Sequence, residues 1–201
     1  MAHRVTVLGA GSWGTALAVH LGRVGHDVRL WARSPDMAAT LVARRMNDRY
    51  LPDVDLPASV VPTGSLAQAL EASTFVVAAV PSHGLRAVLR EAKSALPAGV
   101  PIVSAAKGLE PETRRRMSQV ITEEVGGAHP VAVLSGPSFA VELARQLPTA
   151  VLVAAADPAV CELVQEEFRS KYFRLYASDD VIGVELGGAL KNVIAIAAGV
   201  V

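Results

Sequence analysis

Three glycines near the start of the chain have a spacing that suits phosphate binding. Gly9, Gly11 and Gly14 form a G-x-G-x-x-G loop between an apolar run, residues 5–8, and a predicted helix. In such a loop the first glycine permits a tight turn, the second lets the backbone approach a pyrophosphate, and the third lets the helix pack against the sheet. The helix N-terminus adds free N–H groups and partial positive charge. The loop therefore predicts a site for NAD(H) or NADP(H).

A single side chain bears on which of these dinucleotides is preferred. The second predicted strand ends at Arg33, where NAD-specific proteins usually carry Asp or Glu to hold the ribose hydroxyls. A guanidinium suits a 2′-phosphate instead. We therefore expect NADP(H) to be preferred, with NAD(H) tolerated. A solvated surface arginine is the alternative interpretation.

Two further sets of candidate site residues each come directly after a predicted strand. Lys107 comes directly after the apolar run 102–106, and Gly136 and Ser138 lie in a turn between a strand and a helix. A lysine at a strand end points at the ligand crevice, and a turn that opens a helix can present N–H groups to an anion. The alternatives are a surface charge for Lys107 and simple helix capping for Ser138.

The last predicted helix carries an isolated lysine. Between Val181 and Val201 the only charged residues are Glu185 and Lys191, and their separation of six residues does not place them well on one face. A lysine buried on such a helix has a lowered pKa, which suits proton transfer. A lysine that reaches solvent or pairs with a distant acid is the alternative.

The candidate site residues lie far apart in the sequence, so a single site requires a sheet that brings the ends of their strands together. Apolar runs alternate with helical stretches of about ten to fifteen residues, which predicts an α/β fold with a doubly wound, mainly parallel Rossmann-type sheet. Its ligands lie at the carboxyl ends of the strands, so we expect His83 to line the same crevice. We predict strands at 5–8, 28–31, 60–61, 75–80, 102–106, 131–134, 150–154 and 173–176. We predict helices at 14–25, 35–45, 66–70, 83–96, 111–126, 139–146, 158–168 and 181–201.

Two predictions concern the long helices. Pro111 suits a first helical turn, so the run Arg114–Arg116 is expected in the middle of a helix as a solvated face.

We interpret residues 1–180 as a dinucleotide-binding domain and residues 181–201 as the first helix of an all-helical domain that is otherwise absent. The two charges and four glycines of residues 181–201 argue against a membrane span.

Composition excludes several classes of function. The net charge is zero and hydrophobic residues make up 51% of the chain, which does not indicate a nucleic-acid or membrane-surface protein. The five histidines lack metal-ligand spacing and there is one cysteine, Cys161. The N-terminus lacks the regions of a signal peptide. We therefore expect a cytoplasmic protein without a metal.

Four sequence blocks, taken together, resemble the bacterial NAD(P)-dependent glycerol-3-phosphate dehydrogenase family. The blocks are residues 9–18, 106–110, 135–142 and 188–193. Many dehydrogenases share the first block, whereas the other three in this order are specific. The resemblance implies an oxidoreductase that interconverts dihydroxyacetone phosphate and sn-glycerol 3-phosphate and supplies glycerophospholipid synthesis, a branch of lipid metabolism.

The resemblance also implies roles for individual residues. The cofactor-binding set comprises the loop glycines with Ser12, Trp13, Arg33, Lys107 and Ala140, and the substrate-binding set comprises Lys107, Gly136, Ser138 and Lys191. Lys191 is then the proton donor or acceptor, and Lys107 stabilises the charge on the alkoxide oxygen. The substrate is a small phosphate ester, and a homodimer is the candidate assembly.

Two alternatives remain at the level of the sequence. Family members continue into a helical substrate domain whose later motif, an Asp and a Ser-Arg-Asn group, is not found in these residues. The chain is therefore either part of an active enzyme or a nucleotide-binding module without catalysis. A reductase of the ketopantoate or β-hydroxyacid type is a further hypothesis, although residues 107–110 are not expected in that class.

Overall fold

Short apolar runs build one eight-stranded sheet in the computed structural model, which describes residues 2–200. The strands are β1 (Arg4–Leu8), β2 (Asp27–Trp31), β3 (Met46–Asn47), β4 (Leu51–Asp55), β5 (Val60–Thr63), β6 (Phe75–Ala78), β7 (Ile102–Ser104), β8 (Val131–Ser135), β9 (Thr149–Ala155) and β10 (Phe173–Ser178). The helices are α1 (Ser12–Arg23), α2 (Pro35–Arg44), α3 (Leu66–Leu70), α4 (Ser82–Ala92), α5 (Met117–Val125), α6 (Ala140–Ala144), α7 (Pro158–Phe168) and α8 (Val181–Ala198), with a 3₁₀ turn at Lys93–Ala95.

The order of the strands is that of a doubly wound fold. The sheet runs β10-β9-β8-β7-β6-β1-β2-β5, and β3 and β4 form a separate two-stranded hairpin. Every pairing in the large sheet is parallel except that of β8 with β9, where Ser135 lies opposite Leu152. The predicted α/β fold with a mainly parallel sheet is confirmed. The strands β9 and β10 run against the others, which the sequence pattern did not indicate.

Helices cover both faces of the sheet, so most of its strands are apolar on both sides. One core includes Leu17 and Leu21 of α1 with Phe168 of α7. The other includes Leu89 of α4 and Ile121 of α5. With few aromatic residues, both cores are packed largely by Val, Leu, Ile and Ala, as the composition predicts.

The local structure differs from the sequence-based expectations at three places. Residues 111–116 form a turn rather than the first turns of a helix, because Arg114 has a φ of 59° and Leu109 pairs with Arg116 as an isolated β-bridge. The run Arg114–Arg116 therefore precedes α5 instead of lying in its middle. Helix α6 begins after Phe139, so Ser138 is not its cap. The β3–β4 hairpin was not predicted, since its residues show no clear alternation of apolar and polar side chains.

Helix α8 packs on the sheet through a short segment. Val184 contacts Val133 of β8 and Ala154 of β9, and Gly188 lies so close to Ser135 that a Cβ atom there would collide with the serine hydroxyl. Beyond Gly188 the helix is largely exposed. By length and mean hydropathy, 1.6, α8 would suffice to cross a membrane, a property it shares with core helices of soluble proteins. The predicted helix extends to Val201, which lies outside the described residues.

Candidate functional site

A large cavity lies at the carboxyl edge of the parallel strands. Its volume is about 1150 Å³, slightly above the range of about 300–1000 Å³ typical of ligand pockets. The loops after β1, β2, β6, β7 and β8 form its walls. The lining includes these predicted site residues: Gly9, Gly11, Ser12, Trp13, Gly14, Arg33, Lys107, Ser138 and Ala140. The crevice predicted from the strand ends therefore exists, and His83 lines it as expected.

The glycine loop has the geometry of a phosphate cradle. Gly9 has a φ of +112°, and a Cβ atom at this position would lie 2.8 Å from the Ala79 carbonyl oxygen. At Gly11 a Cβ atom would meet nothing within 4 Å, so the backbone there faces open space. Helix α1 begins directly after Gly11, and its N-cap makes no side-chain hydrogen bond within the described chain. The first-turn N–H groups of α1 are thus placed to meet an anion in the cavity.

A buried asparagine from the unpredicted hairpin supports this loop. Asn47 is 2% exposed, and its amide nitrogen donates to the Ala10 carbonyl oxygen at 3.0 Å and to the Thr15 hydroxyl at 2.7 Å. These bonds join β3 to the loop and to the first turns of α1. No sequence signal identified this residue, because its partners are 32 and 37 positions away.

The end of the cavity near β2 has a net positive charge, because its three arginines outnumber Asp36 and Asp48, although Arg44 pairs with Asp48. Arg33 is exposed where β2 ends, and Arg44 and Arg49 line the same wall. The Arg49 guanidinium lies 5.1 Å from the centre of the Tyr50 ring, and Tyr50 also faces the cavity. Of these residues only Arg33 was predicted. Arg44 lies on the predicted helix α2 but was not recognised as a site residue, and Arg49 and Tyr50 belong to the β3–β4 region, for which no structure was predicted.

The opposite end of the cavity holds Lys107. Its ammonium nitrogen lies 3.3 Å from both the Gly136 carbonyl oxygen and the Ser138 hydroxyl, and 5.5 Å from the centre of the Trp13 ring. Burial, and then the positive charge of Lys191, lower the pKa of Lys107 to about 8. Three of the four residues that the resemblance assigns to the substrate, Lys107, Gly136 and Ser138, are therefore in direct contact.

Lys191 approaches the same end from α8. Its ammonium nitrogen lies 5.7 Å from the centre of the Phe139 ring, and Phe139 lines the cavity and is 61% exposed. The expectation of a buried lysine is wrong, because Lys191 is only half-buried on the exposed part of α8. Phe139 was quoted only as part of a motif, and its contact with Lys191 could not be read from residues 52 positions apart.

Comparison with known proteins gives a family for this arrangement. A family model described as NAD-dependent glycerol-3-phosphate dehydrogenase N-terminus matches residues 4–161. The model of the C-terminus of the same family matches residues 180–201. The first model alone covers more than half of the chain, including the glycine loop, Arg33, Lys107 and Ser138.

Individual relatives agree with the family models. The chain is 52% identical over 199 residues to glycerol-3-phosphate dehydrogenase (NAD(P)+) of Moorella thermoacetica, which covers 99% of this chain and 59% of that protein. The corresponding enzyme of Thioalkalivibrio sulfidiphilus is 50% identical over 196 residues. A crystal structure of glycerol-3-phosphate dehydrogenase from Coxiella burnetii has a TM-score of 0.92 and 40% identity, covering 98% of this chain and 60% of that one.

The matches cover nearly all of this chain but only part of each relative. The chain spans 59% of the length of each of the two curated relatives, whereas nearly all of its own residues are matched. The fold, the cavity and the sequence matches point to one conclusion. The chain belongs to the NAD-dependent glycerol-3-phosphate dehydrogenase family.

Proposed function

We propose that this chain provides the cofactor site and two reactive lysines of an enzyme that interconverts dihydroxyacetone phosphate and sn-glycerol 3-phosphate. The observation that carries the proposal is the approach of both lysines to one end of the cavity, where Lys107 contacts Ser138 and Lys191 lies over the neighbouring Phe139 ring. Two lysines beside a dinucleotide site can bind a phosphate ester and move a proton to its carbonyl oxygen.

The family resemblance gives each residue a role, and the positions of the side chains support it. Bound NAD(P)H supplies the hydride that reduces the ketone carbon. Lys191 donates a proton to the oxygen as it becomes an alkoxide, and the Lys107 ammonium stabilises the negative charge that develops there. The Gly136 carbonyl and the Ser138 hydroxyl hold that ammonium in place, each at 3.3 Å. In the reverse direction Lys191 accepts the proton.

The cofactor preference is part of the proposal. The proteins to which the chain is similar are named for NAD(P)+, so both dinucleotides are expected to bind. The arginines on the wall near β2 favour the 2′-phosphate of NADP(H). Loop residues Ser12 and Trp13 and, on α6, Ala140 complete the contact with the cofactor.

Domain organisation, location and assembly belong to the same proposal. Residues 1–180 are assigned to the dinucleotide-binding domain, and 181–201 to the first helix of a helical substrate domain, supported by the limited packing of α8 on the sheet. A role in glycerophospholipid synthesis and a cytoplasmic location agree with the family. The homodimer stays a prediction.

A spectrophotometric assay tests the proposal. Oxidation of NADPH by dihydroxyacetone phosphate, followed as loss of absorbance of the reduced cofactor, is measured for the 201-residue chain and for the protein extended by the helical domain of its relatives. In a form that turns over, Lys191→Ala should lower kcat by at least about 100-fold, whereas Lys171→Ala, at an exposed lysine, should not. Wild-type activity of Lys191→Ala would exclude the proposed proton transfer.

A dinucleotide-binding module without catalysis is the second candidate. It is favoured by the exposure of most of α8 and by the length of the curated relatives, of which the chain spans 59%. NADPH binding by the 201-residue chain without turnover, together with turnover by the extended protein, would assign binding to this chain and catalysis to the larger protein.

A further inference from the structure

One buried carboxylate joins α8 to the segment that precedes α5. The side chain of Glu185 is 5% exposed, and its Oε2 atom accepts from Arg116 Nη1 at 2.6 Å and from the Ser118 hydroxyl at 2.7 Å. Its Oε1 atom accepts from the Ser118 backbone N–H at 2.8 Å. The carboxylate therefore satisfies an N–H group in the first turn of α5 as well as the guanidinium.

The remaining support of α8 is thin. Its described buried residues are Val184 and Glu185, and its apolar contacts involve Val133 and Ala154. Apolar contacts of this kind constrain the rotation and sliding of a helix weakly. The three directional hydrogen bonds that Arg116 and Ser118 donate to the Glu185 carboxylate constrain them strongly. The bonds of Glu185, with the close approach of Gly188 to Ser135, therefore determine the rotation of α8 about its axis and, with it, the direction in which Lys191 projects six residues later.

The same bonds reach the loop that carries Lys107. Arg116 pairs with Leu109 as a β-bridge, and the Glu110 N–H donates to the Arg115 carbonyl oxygen at 2.9 Å. Leu109 and Arg116 thus close a short loop, and Leu109 lies two positions after Lys107. One buried ion pair, Arg116–Glu185, links the loop of one site lysine to the helix of the other.

We propose that Glu185 is a positioning residue that, through Arg116 and Ser118, fixes Lys191 of α8 relative to Lys107. The inference rests on the proposed function in assigning both lysines to the reaction. The geometric part, that Glu185 ties the helix of Lys191 to the segment closed by Leu109 and Arg116, stands on the contacts alone. Glu185 itself does not line the described cavity, so it acts on substrate only through the lysine that it positions.

The first test measures the geometry without turnover. Competitive acetylation of the 201-residue chain across a pH series, quantified at Lys107 by mass spectrometry, reports the titration of that amine. Wild-type Lys107 should titrate near pH 8, partly because of the charge of Lys191. In Glu185→Gln the titration should move upward, toward the value found in Lys191→Met, because Lys191 no longer stays near Lys107.

A matched control lies one residue from Arg116. Arg115 pairs with Glu123 on the surface and is 51% exposed, so Arg115→Met removes a cation from the same segment without touching α8. It should leave the Lys107 titration at the wild-type value. If Glu185→Gln and Arg115→Met titrate alike, the inference is wrong.

The second test measures turnover in the extended protein. Glu185→Gln should lower kcat by at least about tenfold, and Glu185→Ala should lower it further because the bonds to Ser118 are lost as well. The Kd for NADPH should stay within about twofold of wild type, since α8 contributes no residue to the described cavity wall. The double variant Arg116→Met/Glu185→Gln should be no slower than the slower single variant.

The outcomes separate the two proposals. A wild-type protein without turnover would contradict the proposed function, while the Lys107 titration would still decide whether Glu185 positions Lys191. If Glu185→Gln fails to fold, Arg116→Met, which keeps the bonds of Glu185 to Ser118, should produce a smaller shift in the same direction. An unshifted Lys107 in a folded Arg116→Met chain would then overturn the inference.

Discussion

Lys107 shows how neighbouring groups determine the charge of a side chain in the candidate site. Its hydrogen-bond partners are a carbonyl oxygen and a hydroxyl, which are both neutral, so no carboxylate offsets the cost of its burial. The charge of Lys191 adds to that cost, and the pKa of Lys107 falls to about 8. Near neutral pH most of the population still carries the ammonium that the proposed charge stabilisation requires.

The first prediction is a loss of activity above pH 8. Because the pKa of Lys107 is lowered, its positive charge is present below about pH 8 and is lost as the pH rises through that value. We expect kcat/KM for dihydroxyacetone phosphate to decline above this pH. Lys107→Arg keeps a positive charge throughout, so its activity should be lower but the decline should be absent. An unchanged decline in that variant would show that Lys107 is not its source.

Arg33 gives the second prediction. Substitution of its guanidinium by a carboxylate in Arg33→Asp should raise the Kd for NADPH by at least about tenfold, through loss of one cation and repulsion of the 2′-phosphate. The Kd for NADH should change much less. Titration of intrinsic fluorescence, with Arg174→Asp on the far edge strand β10 as control, measures both. Equal losses for the two cofactors would contradict a 2′-phosphate site at Arg33.

At the scale of elements, periodicity and motif spacing predicted most of the large sheet and missed the parts held by side-chain contacts. Apolar runs located β1, β6 and the other central strands because these are buried on both faces. The start of α5 was misplaced because Arg114 adopts a left-handed conformation that no local pattern indicates. The β3–β4 hairpin was missed because it is joined to the rest of the molecule by the bonds of Asn47 to a distant loop.

The same distinction applies to the candidate site. Motifs located the glycine loop, Lys107 and Lys191, since each lies in a recognisable local sequence. Arg49 and Tyr50 could not be predicted, because only the fold of the hairpin brings them to the cavity. The bonds of Glu185 to Arg116 and Ser118 join residues 67 to 69 positions apart, and such pairings are a property of the tertiary structure.

The third prediction concerns the contact of α1 with α7 and β10. His20 of α1 is fully buried, with Nε2 2.6 Å from the Phe168 carbonyl oxygen and Nδ1 3.1 Å from the Tyr172 hydroxyl. Burial lowers its pKa from 6.5 to about 4. Between these values the unfolded chain takes up a proton that the folded chain excludes, so stability is present above about pH 6.5 and is lost as the pH falls toward 4.

This loss can be measured by urea unfolding. His20 should account for about 3 kcal/mol of the decrease in the free energy of unfolding across that window. His20→Gln should be less stable at pH 7, because it leaves a poorly filled site, but its stability should depend less on pH. A variant that retains the full wild-type slope between pH 6.5 and 4 would contradict the assignment.

At the scale of the whole molecule, the C-terminal half of α8 exposes several large apolar side chains to solvent. Val193, Ile194 and Ile196 are between 62% and 70% exposed within about one turn of the helix. Contiguous apolar surface of this kind is uncommon on monomeric proteins and promotes association.

The fourth prediction follows from that surface. The 201-residue chain should bind the dye 1-anilinonaphthalene-8-sulfonate at neutral pH while folded, and its sedimentation coefficient should rise with concentration. The double variant Ile194→Lys/Ile196→Lys should lose at least about half of the dye fluorescence and the concentration dependence. Val42→Lys, at an isolated exposed valine of α2, should retain both, and equal effects of the two changes would exclude α8 as the dye site.

The antiparallel pairing of β8 with β9 decides at which edge of the sheet α8 delivers its lysine. Because β10 runs against the central strands, it ends at the edge away from the cavity, and α8 then rises past Val133 to Ser135 at the cavity edge. The ten residues from Val181 to Lys191 span about 15 Å, a large part of the height of the sheet. The glycine loop and Lys191 are therefore carried by different parts of the sheet. Partial unfolding that detaches β9, β10 and α8 would remove Lys191 while the glycine loop stays intact, so dinucleotide binding should survive mild denaturant or limited proteolysis longer than turnover.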